Sequence, residues 1–250
     1  MAESPNTPLC RPFFGYYGGK WRNAVKLYPP PRHETIVEPF AGSAGYAMRY
    51  YTRKVILCEK DERIYGVWKY LTSPKVTAKT IMAIRDFDLE KGETVEDLKL
   101  CQEAEWLVGF WLNRGVSNPR KRPSKWMRDK IRPGSFWGQR VKETIASQIN
   151  RIKHWKVHHC GYEDLPEIGV ATWFIDPPYQ KAGKHYRHSS DAIDFESELG
   201  PWCQSRLGQA IVCENEGAHW LPFRELADTK TTRAGKRSKE VYWLNDWGSK

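Results

Sequence analysis

Long apolar runs are missing from this chain: no stretch approaches the roughly 18 consecutive apolar residues that a membrane-spanning helix requires. The opening segment MAESPNTPLC also lacks the basic and apolar regions of a secretory leader, so a soluble, unexported protein is expected. Paired cysteines are absent as well. Six are scattered with no C-x-x-C spacing, and Cys58 and Cys213 fall inside apolar runs, where a thiol serves as a small hydrophobe. That pattern argues against a disulfide framework and suits a reducing cytoplasm. No internal repeat or low-complexity segment occurs apart from the PPPRH turn at 29–33. Metal-like residues gather only at His154, His158, His159 and Cys160. Neighbours on a strand face opposite ways, so His158 and His159 do not converge and no metal is expected.

The excess of positive charge is concentrated in one region. Between Trp111 and Cys160, thirteen Lys or Arg stand against two acids, Asp129 and Glu143, a net of +11. The whole chain carries +10, so everything outside this fifth of the sequence sums to −1. Positive charge concentrated in this way marks a polyanion-binding segment rather than general solubility. Within it, Arg114, Arg120, Lys121, Arg122, Lys125 and Arg128 cluster around Trp126, and these are the candidate nucleic-acid contacts. Trp111 and Trp155 instead fall on apolar helical faces and are expected in the core.

With 40% apolar residues, the chain can bury a core of its own. Six runs read as strands: TIVEPF (35–40), KVILCE (54–59), KVHHC (156–160), ATWFID (171–176), QAIVCE (209–214) and KEVYWLN (239–245). A helix is expected over Ser43–Tyr51. Leu98, Cys101, Ala104, Val108 and Trp111 recur at spacings of three and four, as do Val141, Ile145, Ile149 and Ile152, so the middle of the chain reads as mainly helical. The stretch 113–135 between those helices, rich in Pro, Gly and Arg, reads as an irregular exposed loop. The expected fold is therefore α/β, with residues 11–75 and 156–250 forming one sheet domain and 76–155 an inserted, mainly helical lobe. Ligands of such sheets bind beyond the carboxyl ends of the strands, which directs attention to the loops after Glu38, Glu59, Cys160 and Asp176.

Three motifs lie there or close by. Asp176-Pro177-Pro178-Tyr179 follows an apolar strand. An aromatic amine is a poor nucleophile until its N–H bonds point at acceptors. Asp176 is one acceptor, and a prolyl carbonyl in a rigid Pro-Pro turn is another. Tyr179 offers a face on which an extruded base can stack. A capped Pro-Pro turn is the plainer alternative. The second motif, Glu38-Pro39-Phe40-Ala41-Gly42-Ser43-Ala44-Gly45, allows close ligand approach at Gly42 and Gly45 and supplies Glu38 for an ammonium or hydroxyl. Glu59 ends the next strand about 20 residues on, where a nucleoside ribose finds its hydroxyl partner. The third motif, Phe13 to Lys20 (FFGYYGGK), sets aromatics against paired glycines and ends in a cation.

Taken in order, these motifs resemble the Dam-like, α-group family of adenine-N6 DNA methyltransferases. That family reads an aromatic-GGK element, a strand ending in EPF with a Gly-rich turn, an acidic strand end, a target-recognition insertion, and DPPY. The resemblance covers most of the chain and lies nearest the phage-encoded branch. It implies a Rossmann-like class I methyltransferase sheet, S-adenosylmethionine as cofactor, double-stranded DNA as partner, and the cytoplasm of a bacterium or phage-infected host. It also implies that Tyr17, Gly18, Glu38, Pro39, Phe40, Gly42, Gly45, Glu59 and Asp176 surround the cofactor, with Tyr162 on its adenine ring. Asp176, Pro177, Pro178 and Tyr179 would then hold the flipped adenine, with Lys20 close by. Where the family usually ends the second strand in Asp, this chain has Glu59 with Asp61 two residues on, and either can meet the ribose. Gly183 and Tyr186 fit the family's loop after DPPY. Methylation of cytosine N4, RNA or a protein glutamine uses related tetrapeptides, and a silent DNA-binding scaffold is the alternative of another class. Asp rather than Asn at position 176 and the basic insertion favour adenine in DNA.

Overall fold

Short runs dense in β-branched and aromatic residues build a seven-stranded mixed sheet in the computed structural model, which describes residues 9–22, 27–113, 115–129, 134–180, 187–226, 229–230 and 237–245. Its strands are β1 (Thr35–Glu38), β2 (Lys54–Cys58), β3 (Lys156–His158), β4 (Ala171–Ile175), β5 (Gly208–Asn215), β6 (Arg224–Glu225) and β9 (Glu240–Leu244). A separate two-stranded ribbon joins β7 (Thr229–Lys230) to β8 (Arg237–Ser238). The order across the large sheet is β3-β2-β1-β4-β5-β9-β6. The first five of these run parallel, and β9 is antiparallel to both β5 and β6. This is the doubly wound order with one reversed strand wedged in before the last, and the chain switches direction across the sheet between β1 and β4.

Both faces of the sheet are covered, which is why its central strands are apolar without interruption: all five residues of β4 are buried, as are seven of the eight in β5. Side chains alternate between two cores. Ile36, Phe174, Ile211 and Cys213 enter one, while Val37, Trp173, Ile175, Ala210 and Val212 enter the other. The first core is closed by Phe13 and Phe14 and by helices α1 (Glu62–Thr72), α2 (Ala78–Met82), α3 (Gln102–Phe110) and α5 (Gln139–Gln148). The second is closed by Tyr162, Phe195, Trp220, Leu221 and Leu199, with Cys203 from α6 (Gly200–Gln204). Apolar residues of 76–155, among them Leu107, Val108, Ile145 and Ile152, therefore belong to the same core as Met48 and Trp68.

Local signals explain the helix bounds. Helix α1 starts at the Asp61 cap, whose carboxylate accepts the Arg63 N–H, and buries Ile64, Val67, Trp68 and Leu71 at helical spacing. At its far end the Lys153 ammonium donates to the carbonyls of Leu71, Ser73 and Val76 at 2.6, 2.7 and 2.7 Å. Two expectations need correction. The helix over Ser43–Tyr51 is only a 3-10 turn, Ala47–Tyr50, because Gly42 and Ala44 take positive φ (45° and 49°) and the Glu38 carboxylate captures the Ala47 N–H. The apolar period from Leu98 to Trp111 is likewise broken, since Lys99 turns left-handed (φ 52°) and α3 begins only at Gln102. Within 113–135 the described residues are irregular apart from the single turn α4 (Lys125–Arg128) capped by Ser124. Among the described residues no helix is long and apolar enough to cross a membrane, and no three His, Cys, Asp or Glu side chains converge as a metal site would require.

Candidate functional site

A cavity of about 530 Å³ opens at the carboxyl ends of β1, β2 and β4, on the switch point of the sheet. Its floor is the turn after β1. There Gly42 donates its N–H to Glu59 Oε2 at 2.9 Å, and its carbonyl accepts the Trp68 indole N–H at 2.8 Å. Gly45 is held closer still. A Cβ at that position would lie 2.6 Å from the Trp21 nitrogen and 2.8 Å from that of Lys20, so only glycine lets the segment 16–21 close against the turn. Arg49 fastens the same contact, donating Nε–H to the Trp21 carbonyl at 2.7 Å and stacking on its ring at 3.9 Å. The second and third motifs thus form one wall, on which Tyr17, Gly18, Pro39 and Phe40 also lie.

Three carboxylates around the cavity are held by backbone donors. Glu59 takes N–H groups from both Gly42 and Asp61 at 2.9 Å, and burial pushes it up to about 7 against those hydrogen bonds. Glu38 takes the Ala47 N–H at 2.6 Å; burial pushes it up to about 8, with the Asp176 charge adding to the rise. Glu214, at the end of β5, takes the N–H groups of Asn215 and Gln180 and the Trp220 indole, and so pins the turn that follows Tyr179. Asp61 also lines the cavity, but both its oxygens are spent on Arg63. Burial pushes Asp61 up, and the Arg63 hydrogen bonds and charge outweigh that and leave it below the usual range. Of the two acids after β2, Glu59 accepts one backbone N–H on each oxygen while Asp61 accepts three hydrogen bonds from Arg63, so Glu59 keeps the greater acceptor capacity. Across from it, Phe40 and Tyr162 lie with ring centres 5.5 Å apart, and Trp202 meets Tyr162 edge-on at 5.1 Å.

The opposite end is built on a side-chain ion pair. Lys20, only 5% exposed, sets its ammonium 3.0 Å from Asp176 Oδ1, 3.1 Å from the Gly18 carbonyl and 3.7 Å from Glu240 Oε1. It also lies 4.8 Å above the Tyr179 ring. Burial raises Asp176 above the usual range; Lys20 pulls it down and Glu240 pushes it back up. The Tyr179 hydroxyl is buried beside Asp176 without a hydrogen bond of normal geometry. Pro178 lines the cavity, and Pro177 joins it to the strand end. A buried carboxylate and a rigid turn at this end of the cavity can receive a flat, amine-bearing ring, with Tyr179 packed beside them rather than on the cavity wall.

Sequence reasoning overlooked several groups here. Glu240 and Tyr28 reach this end from β9 and from the turn before β1, joined by a 2.9 Å hydrogen bond from the Tyr28 hydroxyl to Glu240 Oε2. Glu214 was legible as the acidic end of an apolar strand, the signal that singled out Glu59. Arg187, whose guanidinium is 4.0 Å from Asp61, and Trp202 lie on the far wall, where no periodic pattern marks them.

The basic segment adjoins the site through a backbone bond from the Tyr17 N–H to the Val116 carbonyl at 3.2 Å. Arg120, Lys121, Arg122, Lys125 and Arg128 are exposed, and Trp126 is 58% exposed beside them, whereas Trp155 is buried as expected. Arg114, Lys130, Arg132, Gly183 and Tyr186 lie outside the described residues. Not every cation of the segment faces solvent. Lys142 is buried and pairs with Asp86 at 2.9 Å, and Lys153 caps α1; Lys121, though exposed, pairs with Glu96 at 2.5 Å.

No family model matches the chain, and no curated protein does either. Among solved structures it is similar to a conserved hypothetical protein of Streptococcus pyogenes, at 11% identity over 85% of this chain and 86% of that one, with a TM-score of 0.36. A likeness of that size carries no argument about fold or function, so the reading rests on the site itself.

Proposed function

We propose that the protein is an S-adenosylmethionine-dependent DNA methyltransferase acting on the N6 amine of adenine. The observation that carries this reading is the placement of Asp176, tied to Lys20 at 3.0 Å and followed by the Pro-Pro-Tyr turn, at one end of the cavity whose other end holds the Gly42 turn and Glu59. The sheet order and the cavity at its switch point support a nucleoside-binding fold of the methyltransferase type. The exposed cations 120–128 beside that cavity support a polyanionic substrate, with residues 76–155 supplying the recognition elements.

The donor set fits the cofactor. Glu59 offers acceptor capacity to ribose hydroxyls, Glu38 a buried carboxylate to an ammonium, and Phe40 with Tyr162 an aromatic pocket to a purine. When bound, the cofactor supplies an electrophilic methyl on a sulfonium, already a good leaving group. The chain's own residues then have to position and desolvate. Asp176 accepts one N6–H and a prolyl carbonyl accepts the other, which turns the nitrogen lone pair toward the methyl. The flipped base sits against the Pro-Pro-Tyr turn, and the proton lost from nitrogen passes to Asp176 or solvent. Titration calorimetry with S-adenosylmethionine, followed by digestion of methylated duplex DNA and mass spectrometry, tests the reading. Binding and N6-methyladenine are expected; no binding, or N4-methylcytosine as product, would overturn it.

A further inference from the structure

Lys20 does not belong to Asp176 alone. Its ammonium stands between Asp176 and Glu240, and Glu240 is itself fixed by the hydroxyl of Tyr28, a side chain 3% exposed and packed edge-on against Phe174 at 5.2 Å. The reversed direction of β9 brings this about. Glu240 is its first residue and pairs with Asn215 at the end of β5, so an amino-terminal side chain arrives at the carboxyl edge of the sheet. We propose that Glu240 is a positioning residue of the amine end: by sharing Lys20, it loosens the grip of that ammonium on Asp176 and keeps Asp176 a strong acceptor for the target amine. The inference rests on the methyl-transfer reading for its consequence, though not for its physics.

Charged and titratable groups surround Asp176 on every side. Lys20 comes from the aromatic-glycine segment, Glu38 from β1, Tyr179 from its own turn, Cys213 and Glu214 from β5, Glu240 from β9, and Tyr28 from the turn before β1. Lys20 is the one cation among these, and Glu240 is the acid that shares it. Removing the Glu240 charge takes a competing carboxylate from the ammonium, so Asp176 ionises more readily and holds the amine less tightly. Removing the Lys20 charge does the reverse.

The test has two readouts. In free protein carrying carboxyl-labelled aspartate, with the Asp176 signal assigned by its loss in Asp176→Asn, the Asp176 titration should move to lower pH in Glu240→Gln and to higher pH in Lys20→Gln. In turnover, Glu240→Gln should lower kcat by on the order of tenfold and move the acid limb of the pH profile down. Cofactor and DNA dissociation constants should hold, and Glu240→Asp, which keeps the charge, should recover much of the loss. Circular dichroism checks that each variant folds, and Glu240→Ala, which also removes the charge, carries the titration test if Glu240→Gln does not fold. An Asp176 titration that stays put when the Glu240 charge is removed overturns the inference, as does a kcat loss that Glu240→Asp does not recover. If the titrations shift as stated but the parent protein methylates no DNA, the function is wrong and the shared ammonium stands.

Discussion

The two ends of the cavity hold their carboxylates by different kinds of donor. At the Gly42 end Glu59 and Glu38 accept N–H groups of the main chain, as does Glu214 behind the turn after Tyr179, each tying a strand end to a turn. At the amine end, Asp176 and Glu240 meet at the ammonium of one lysine. A backbone donor cannot leave without moving the fold, so the first set is scaffold that keeps spare acceptor capacity for a ligand. An ammonium on a four-carbon stem is a point charge that can redistribute between partners, so the second set can respond to a change of charge at the substrate. The contrast implies that substitutions at the amine end act on rate, and those at the backbone-held carboxylates on stability or binding.

The largest effect is expected at Asp176. Asp176→Ala should lower the methyl-transfer rate by on the order of a hundred- to a thousandfold, because its contact gains strength as positive charge builds on nitrogen in a desolvated site. Single-turnover assays measure that loss, while cofactor and DNA affinities should stay near the parent values. Glu214→Ala should do the opposite: three donors would lose their acceptor in a residue 1% exposed, which costs about 3 kcal/mol of stability. Chemical denaturation reads it. Should the Asp176 variant lose as much stability as the Glu214 variant, the division between scaffold and chemistry fails.

A smaller effect concerns the basic loop. Replacing Arg120, Lys121 and Arg122 together should flatten the log-log dependence of DNA affinity on salt by about two to three units. The lower figure applies if Lys121 keeps Glu96 as its partner in the complex. A slope equal to that of the parent protein would make this loop an ordinary solvated surface.

Much of this was legible in the sequence because the residues that mattered ended parallel strands. Asp176, Glu38 and Glu59 each close an apolar run, and a parallel sheet gathers such ends along one edge. Glu240 escaped notice for the same reason in reverse. It opens its strand, and nothing local in KEVYWLN says that β9 runs against its neighbours. Counting charge also overstated the cations available to a polyanion, since Lys142 and Lys153 serve the interior. The missing helix over Ser43–Tyr51 was hidden because a helical pattern of side chains does not register that Glu38, nine residues earlier than Ala47, takes the N–H that would open it.

That same Glu38 separates scaffold from ligand contact by a pH effect. Its carboxyl is pushed up to about 8 by burial, with the Ala47 N–H opposing and Asp176 adding to the rise, against an ordinary value of 4.5. A raised carboxyl is protonated in the folded protein and ionised in the unfolded chain across this window. Its contribution to stability is therefore complete below about 4.5 and is lost as pH climbs through about 8. Thermal melts should show the parent protein losing stability between those limits, by a few kcal/mol at most, with a smaller loss in Glu38→Gln, whose amide oxygen can still accept the Ala47 N–H. An ammonium-bearing nucleoside bound at Glu38 favours the ionised carboxylate instead. Binding at pH 7 should then expel a proton, seen as a calorimetric heat that scales with the ionisation enthalpy of the buffer, and the Gln variant should expel less. Equal proton release from the two proteins would leave Glu38 as a cap on the 3-10 turn and move the ammonium to another carboxylate of the cavity.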